Sequence, residues 1–156
     1  MYKRKKYIIL LIACLAIIVT TIIIVSTQLE CRTSKTDIIA DFHNNKNRFE
    51  NIQSYTELLN DNIYIYLDGK KIVYEEGKNK NNAFDKVEKD IAFIMIRLKY
   101  IGIYGGEGDI KFVKKGSKNQ TGIYYIKNDV KPEDTPSGGY YERITDNWFY
   151  YFENPT

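Results

Sequence analysis

Residues 140–153, YYERITDNWFYYFE, contain two strand-forming runs joined by a turn, and they indicate an antiparallel sheet. The runs 140–145 and 148–153 are rich in aromatic and β-branched residues, which have high β-propensity. Asp146 and Asn147 between them tolerate the positive φ angles that a two-residue hairpin turn requires. The stretch therefore predicts a C-terminal β-hairpin.

The second strand of this hairpin carries aromatic side chains on both faces. Because alternate residues of a strand point to opposite faces, Trp148, Tyr150 and Phe152 share one face while Phe149 and Tyr151 share the other. Such a strand is either covered on both sides or presents one face to a ligand, and tyrosine suits an interface. Phe149 and Tyr151 are therefore candidate partner-binding residues, with ordinary cross-strand packing as the alternative.

Working towards the N-terminus, five further runs predict strands because they are β-rich and bounded by turn residues. They lie at 63–67, 71–75, 101–104, 110–113 and 122–127. Asp68-Gly69 between the first two is a strong hairpin signal, and the glycine-rich segment 105–109 turns the next pair. Residues 128–139, which contain two prolines, form the longest predicted loop.

Two amphipathic helices are predicted before and between these strands. In the first, residues 37–60, an apolar stripe at helical spacing is weakened in the middle by Asn45 and Thr56. The second helix, residues 83–100, has one apolar stripe and a further set of Phe93, Ile96 and Tyr100 on nearly the opposite face. A helix that is apolar on two faces is either enclosed or carries a contact surface, so these three residues are also candidate partner-binding residues.

An uncharged apolar run, YIILLIACLAIIVTTIIIV at residues 7–25, precedes this α+β domain. As a helix it would reach about 28 Å, close to the ~30 Å hydrocarbon core of a bilayer. Four basic residues in the flank 1–6 predict a cytoplasmic N-terminus. The sequence thus predicts a single-pass signal anchor, a tether at 26–35 and one extracytoplasmic domain at 36–156 in the order α-ββ-α-βββββ.

Two other interpretations of the apolar run remain open. A cleaved signal peptide has an apolar run of about 7–15 residues and a small-residue cleavage site, to which Ser26-Thr27-Gln28 is a poor match. Residues 11–14, Leu-Ile-Ala-Cys, resemble a lipobox, but the residues that follow Cys14 are apolar rather than a polar tether. The retained anchor is therefore the favoured interpretation.

Charge and cysteine content exclude some classes of partner. The four basic residues of the flank leave 19 basic against 20 acidic residues in the rest of the chain, which gives no support to nucleic-acid binding. Cys14 and Cys31 would be ~25 Å apart along a helix, too far for a disulfide. Cys31, just outside the predicted membrane, could link two copies into a dimer or remain a free thiol.

Few residues suggest catalysis, and none indicates a cofactor or metal. His43 is the one histidine, projects away from the apolar stripe of its helix and is interpreted as an exposed surface residue. Glu107 and Asp109 are a close acidic pair that could act in a hydrolase, although solvated turn carboxylates are the simpler explanation.

The layout of anchor, small α+β domain and C-terminal aromatic hairpin (ITDNWFYYFEN) resembles small, uncharacterised membrane-anchored proteins of low-GC Gram-positive bacteria. The resemblance rests on no functional motif and implies location rather than activity. The expected function is a non-catalytic module at the cell membrane that binds another envelope protein, a peptide or a glycan. The alternatives are a cell-surface hydrolase that uses Glu107 and Asp109, and a membrane-anchored immunity-type protein.

Overall fold

The structure, a computed structural model, describes residues 34–59, 62–76, 84–115 and 119–154. Its elements are α1 (Lys35–Glu57), β1 (Ile63–Asp68), β2 (Lys71–Glu76), α2 (Phe84–Ala92) with a π-helical continuation (Phe93–Arg97), β3 (Gly102–Gly106), β4 (Asp109–Lys115), β5 (Gln120–Tyr125), β6 (Tyr140–Thr145) and β7 (Trp148–Glu153). Within the described residues, the α+β class and the predicted order of helices and strands are confirmed.

The predicted anchor at 7–25, its flank at 1–6 and Cys31 lie outside the described residues. None of the helices in the described ranges has the length and apolar character needed to cross a bilayer. Of the predicted tether, only Ser34 and Lys35 are described. Helix α1 begins at Lys35, two residues earlier than predicted.

The strands form one antiparallel sheet in the order β2-β1-β3-β4-β5-β7-β6. Neighbours in the chain form the hairpins β1–β2, β3–β4 and β6–β7, and β4 pairs with β5. Two pairings join strands that are distant in the chain: β1 with β3, across α2, and β5 with β7, across the 126–139 segment. These two pairings place β3, β4 and β5 in the middle of the sheet.

The hairpin turns use residues with positive φ, as tight connections require. Asn147 has φ 64° between β6 and β7, where the sequence predicts the turn. Glu107 and Gly108, with φ 54° and 96°, form the β3–β4 turn. In the first hairpin Asp68 still pairs with Lys71, so the loop is one residue later than predicted and starts at Gly69, with φ 61°.

Both helices pack on one face of the sheet and form the main core with it. Alternation sends one set of side chains of the central strands towards the helices, and they are buried in one cluster with aromatic rings of α1: Ile103, Ile110, Phe112 and Ile123. The ring of Phe49 in α1, for example, lies 4.8 Å from Phe112 in β4 and 6.3 Å from Trp148 in β7. Among the largest fully buried side chains of this core are Phe42, Phe49, Tyr100, Phe112, Ile65, Ile91 and Ile94.

Helix α1 contains a kink at the position where its apolar stripe is weak. Asn45 has non-helical angles, φ −131° and ψ 23°, and its side-chain amide donates to the carbonyl of Asp41 at 2.9 Å. A short amide side chain that bonds to nearby backbone competes with regular helix hydrogen bonding. The kink therefore has a local cause in the sequence.

The second helix departs from the prediction at its C-terminal end. Beyond Ala92 it winds as a π-helix, in which the Leu98 amide donates to the Phe93 carbonyl at 3.1 Å. Lys99 then adopts φ 59°, a left-handed conformation that ends helices. Tyr100 is therefore outside the helix, and a helical wheel that extends to residue 100 misplaces its side chain.

Candidate functional site

The candidate site lies on the face of the sheet opposite the helices. This face carries six tyrosines, here named the tyrosine face: Tyr64, Tyr66, Tyr104, Tyr124, Tyr141 and Tyr151. A small apolar cluster formed by Val113, Tyr141 and Tyr151, with Tyr104 and Tyr124 packed against it, contains no residue of the described helices. In the described part of the chain, this side of the sheet is thus covered by its own side chains rather than by a helix.

Register places these residues in two rows that run across the strands. The first row aligns Tyr64 of β1 with Tyr104 of β3, Lys111 of β4 and Tyr124 of β5. The second row crosses β1, β3, β4, β5, β7 and β6 in that order and aligns Tyr66, Gly102, Val113, Gly122, Tyr151 and Tyr141. In this row each glycine lies between two bulkier residues.

The two glycines make room for tyrosine rings. A Cβ atom on Gly102 would lie 2.6 Å from the hydroxyl oxygen of Tyr104, because that ring folds over the glycine. A Cβ atom on Gly122 would lie 3.0 Å from the Tyr151 ring and 1.8 Å from the backbone carbonyl oxygen of Phe112. Hydrogen in place of a side chain therefore lets both rings lie flat on the sheet.

A charged network runs between the rings. The Lys111 ammonium donates to the Glu153 carboxylate at 2.7 Å and lies 4.9 Å from the Tyr124 ring centroid and 5.4 Å from that of Tyr151. The Tyr141 hydroxyl donates to the same carboxylate. Burial by itself raises the pKa of Glu153, but the bonds from Lys111 and Tyr141 outweigh it and lower the pKa below its usual value. Glu153 is therefore ionised at neutral pH and neutralises Lys111.

A second carboxylate is held in the same way at the adjacent end of β4. Asp109 accepts hydrogen bonds from the Tyr124 hydroxyl and from the Lys127 backbone amide, both at 3.1 Å. Burial, and then the charge and hydrogen bond of Asp109, raise the pKa of Tyr124 to about 12. Tyr124 therefore remains a protonated donor over the physiological pH range.

These residues line a pocket of about 360 Å³, here named the tyrosine pocket. Its walls include Asn62, Tyr64, Tyr104, Asp109, Lys111 and Tyr124. Tyr64 is 46% exposed, and its ring meets that of Tyr104 edge-on at 5.9 Å. The pocket thus combines accessible aromatic rings with amide and carboxylate groups.

The structure buries the two candidate binding residues of the C-terminal strand. Phe149 and Tyr151 do lie on the face opposite Trp148, as the alternation predicts, but both are 0% exposed. Phe149 lies beneath the guanidinium of Arg143, 4.8 Å from its ring centroid. The structure therefore shows cross-strand packing for these two residues and not an exposed contact surface, because neighbouring strands supply large side chains that cover them.

The helical candidates are separated by the end of their helix. Ile96 is 56% exposed, as expected for a contact surface, whereas Tyr100 is fully buried beside Phe49 at 5.7 Å. Phe93 is partly buried under the Arg48 guanidinium, 4.1 Å from its ring centroid. The expected exposure is wrong for Tyr100, because the chain has already left the helix at Lys99. A binding role for Phe93 and Ile96 stays a prediction.

A second, polar depression of about 540 Å³ lies at the kink of α1. Its walls include the Arg48–Asp90 ion pair, and Asn51 donates to the other oxygen of Asp90 at 2.9 Å. These contacts join α1 to α2. The exposed side chain of His43 also lines this depression, and its predicted surface position is confirmed. Within the described residues, no group of three or more His, Cys, Asp or Glu side chains could hold a metal ion.

Sequence reasoning identified Glu107 and Asp109 of the tyrosine pocket but missed its tyrosines, Asn62 and Lys111. A signal exists, because tyrosines occupy alternate positions to isoleucines in 63–66 and 103–104, and such alternation places them on one face. The sequence does not show that β1 lies beside β3, because these strands are distant in the chain and meet only in the folded sheet. Glu107 and Asp109, predicted as a close pair, both line this pocket.

The chain gives no match in comparisons with protein-family models, with curated proteins or with solved structures.

Proposed function

We propose that the domain is a non-catalytic binding module and that the tyrosine face is its contact surface for a component of the cell envelope. In this proposal residues 7–25 hold the chain in the membrane and the domain lies outside the cell. The observation that carries the proposal is the sheet face itself, where accessible tyrosine rings surround a pocket and no described helix packs.

Tyrosine favours recognition because it combines a large apolar ring with a polar hydroxyl and has few rotatable bonds. Here the rings are also held in place before any ligand arrives. Tyr124 is fixed by its bond to Asp109, and Tyr141 by its bond to Glu153. Such preorganisation reduces the entropy lost on binding.

Hydrolysis by Glu107 and Asp109 is the rival activity, and the geometry favours it less. Both residues line the pocket, but Asp109 already accepts two internal hydrogen bonds, while Glu107 is exposed in the β3–β4 turn. A general acid or base must lie within hydrogen-bond reach of the substrate atom whose proton it transfers, whereas the carboxylate of Asp109 is already bonded to groups of the domain. The bonds to Asp109 instead suit a group that positions Tyr124.

The test uses the full-length chain, purified in detergent and mixed with envelope fragments of the host cell, which are then sedimented. We expect wild type to sediment with the fragments and the Tyr64→Ala/Tyr104→Ala variant to lose at least tenfold in apparent affinity. A hot-spot aromatic contributes about 2 kcal/mol or more to binding. Ile96→Ser, an exposed change on the helix side, is the matched control and should bind as wild type does.

Circular dichroism spectra and melting temperatures of all variants confirm that each is folded before binding is compared. Undiminished sedimentation of the double tyrosine variant would overturn the proposal. Loss of sedimentation in Ile96→Ser alone would move the contact surface to the helix side. Unchanged binding with loss of a hydrolytic activity in Glu107→Ala or Asp109→Ala would favour the enzyme.

A further inference from the structure

The groups that line the tyrosine pocket also indicate the chemical class of its ligand. We propose that the tyrosine pocket binds a neutral glycan, with one sugar ring against Tyr64 and Tyr104 and its hydroxyl groups bonded to Asn62 and Asp109. This inference rests on the proposed function and specifies the envelope component that the tyrosine face recognises.

A ligand in the tyrosine pocket must be recognised by side chains, because the backbone groups there are already paired within the sheet. The pocket lies on the surface of β1, β3 and β4, and each of these strands pairs with a neighbour on both sides. Their backbone amide and carbonyl groups are therefore used within the sheet. A peptide that adds a strand needs an unpaired sheet edge, which this surface does not provide.

The charged side chains Lys111 and Asp109 of the pocket already have partners within the domain. The ammonium of Lys111 is neutralised by Glu153 at 2.7 Å, and the carboxylate of Asp109 already accepts from Tyr124 and from a backbone amide. A charged ligand would have to compete with these internal partners and pay for their desolvation. A neutral ligand with many hydroxyl groups can add hydrogen bonds to the same oxygens without breaking the pairs.

The tyrosine pocket places apolar surface beside polar groups, and a sugar ring has the same combination. A sugar ring has a face of C–H groups and a rim of hydroxyls that both donate and accept. The accessible ring of Tyr64, set against Tyr104 at 5.9 Å, offers an apolar platform for the C–H face. The side-chain amide of Asn62 donates and accepts, and the oxygens of Asp109 accept, which complements hydroxyl groups.

The volume of the tyrosine pocket limits the size of its ligand. A volume of about 360 Å³ lies near the lower end of the roughly 300–1,000 Å³ range of ligand pockets. It suits a short segment of an oligosaccharide. The pocket is too small to receive a folded partner, and its side chains do not form the basic groove that a nucleic acid needs.

The experiment measures binding of neutral oligosaccharides, including chitotetraose and cellotetraose, to the full-length chain by array and then by titration calorimetry. The detergent must lack a sugar headgroup, because a maltoside would compete for the pocket. We expect binding that weakens at least tenfold in Tyr64→Ala and in Asn62→Ala. Tyr64→Phe, which keeps the ring and its stacking surface, should retain most of the affinity.

Tyr140→Ala is the matched control. Tyr140 has a similar exposure, 37%, but it stacks on Phe152 at the opposite edge of the sheet, 5.7 Å between ring centroids. Its replacement should leave affinity within twofold of wild type. Equal losses in the Tyr64 and Tyr140 variants would overturn the assignment of the pocket.

The glycan inference and the proposed function can fail separately. If no neutral oligosaccharide binds while envelope fragments still bind through Tyr64, the ligand is not a neutral glycan but the contact surface stands. Binding of an acidic polysaccharide or of a peptide at the same tyrosines, in preference to every neutral glycan, would likewise overturn the inference alone. If Tyr64→Ala affects neither glycans nor envelope fragments, both proposals fall.

Discussion

The two faces of the sheet are formed by the same strands, but their side chains differ in polarity and in exposure to water. The helix-covered face presents isoleucine and phenylalanine side chains that are almost completely removed from water, such as Ile103 and Phe112 at 0% exposure. The tyrosine face presents rings of similar size that each carry a hydroxyl group. There Tyr64 remains 46% exposed, and the Tyr124 and Tyr141 hydroxyls bond to carboxylates.

This difference teaches that aromatic density by itself does not distinguish a core from a binding surface. An apolar ring is stabilised by burial alone, whereas a buried hydroxyl needs a hydrogen-bond partner. The tyrosine face supplies carboxylate partners for the Tyr124 and Tyr141 hydroxyls and leaves Tyr64 accessible at the pocket, while the buried Tyr151 hydroxyl has no hydrogen-bond partner among the described residues. Its side chains therefore contribute to packing and remain available to a ligand.

The largest expected effect is on the helix-covered face. Phe112→Ala should lower the free energy of unfolding by about 3–5 kcal/mol, since it removes a ring packed between Phe49 and Trp148. Tyr64→Ala on the other face should cost less than about 1 kcal/mol, because the side chain is half exposed. Denaturant unfolding of the full-length chain, followed by the fluorescence of its single tryptophan, Trp148, measures both. Equal costs would mean that the tyrosine face is a second core.

The two glycines of the tyrosine face sharpen the comparison at an intermediate scale. Gly122→Ala should destabilise the fold by about 1–3 kcal/mol, because the new methyl group meets the backbone carbonyl of Phe112, which cannot move aside. Gly102→Ala meets only the end of the Tyr104 side chain, which can swing away. We expect a smaller loss of stability there but a weaker ligand affinity.

Melting temperatures and binding constants of these two alanine variants separate the effects. A larger drop in melting temperature for Gly102→Ala than for Gly122→Ala would contradict the expectation that the Tyr104 side chain moves aside more easily than the Phe112 backbone carbonyl.

The smallest expected effect is the acid dependence of the Lys111–Glu153 pair. The net pKa shift of Glu153 is downward from its usual value of 4.5, so its contribution to stability is present above about pH 4.5 and is lost as pH falls through the lower folded-state pKa. The pair is partly exposed, and Glu153→Gln should therefore cost less than about 1 kcal/mol at neutral pH. Below the folded-state pKa the variant and wild type should converge.

Lys111→Gln is the complementary variant for this test. Without the ammonium, burial is opposed only by the hydrogen bond from Tyr141, so the downward shift of the Glu153 pKa should shrink, and less stability should be lost on acidification than in wild type. Unfolding measured from pH 7 to pH 3 gives the three profiles. If wild type and both variants lose stability identically as the pH falls, Glu153 has the same pKa in the folded and unfolded chain.

Much of the local structure could be read from the sequence because short-range rules dominate it. Alternation in 148–153 assigns each residue of β7 to the correct face, and Asp146-Asn147 marks its turn. The weak stripe at Asn45 coincides with the kink of α1. The end of α2 was harder to predict from the sequence, because a helical wheel assumes regular α-helical winding and the π-helical turn departs from it.

The sequence by itself determined which residues form strands and helices, and which side chains of one strand share a face, because these follow from backbone geometry and residue type. Beyond the hairpins that turn residues predict, the tertiary structure alone decided which strands are neighbours, and therefore which faces are covered. The pairing of β1 with β3 brings Tyr64 to Tyr104 and creates the tyrosine pocket. The pairings of β7 with β5 and β6 surround Phe149 and Tyr151 with other side chains. Exposure is a property of contacts between distant segments, and no local pattern encodes it.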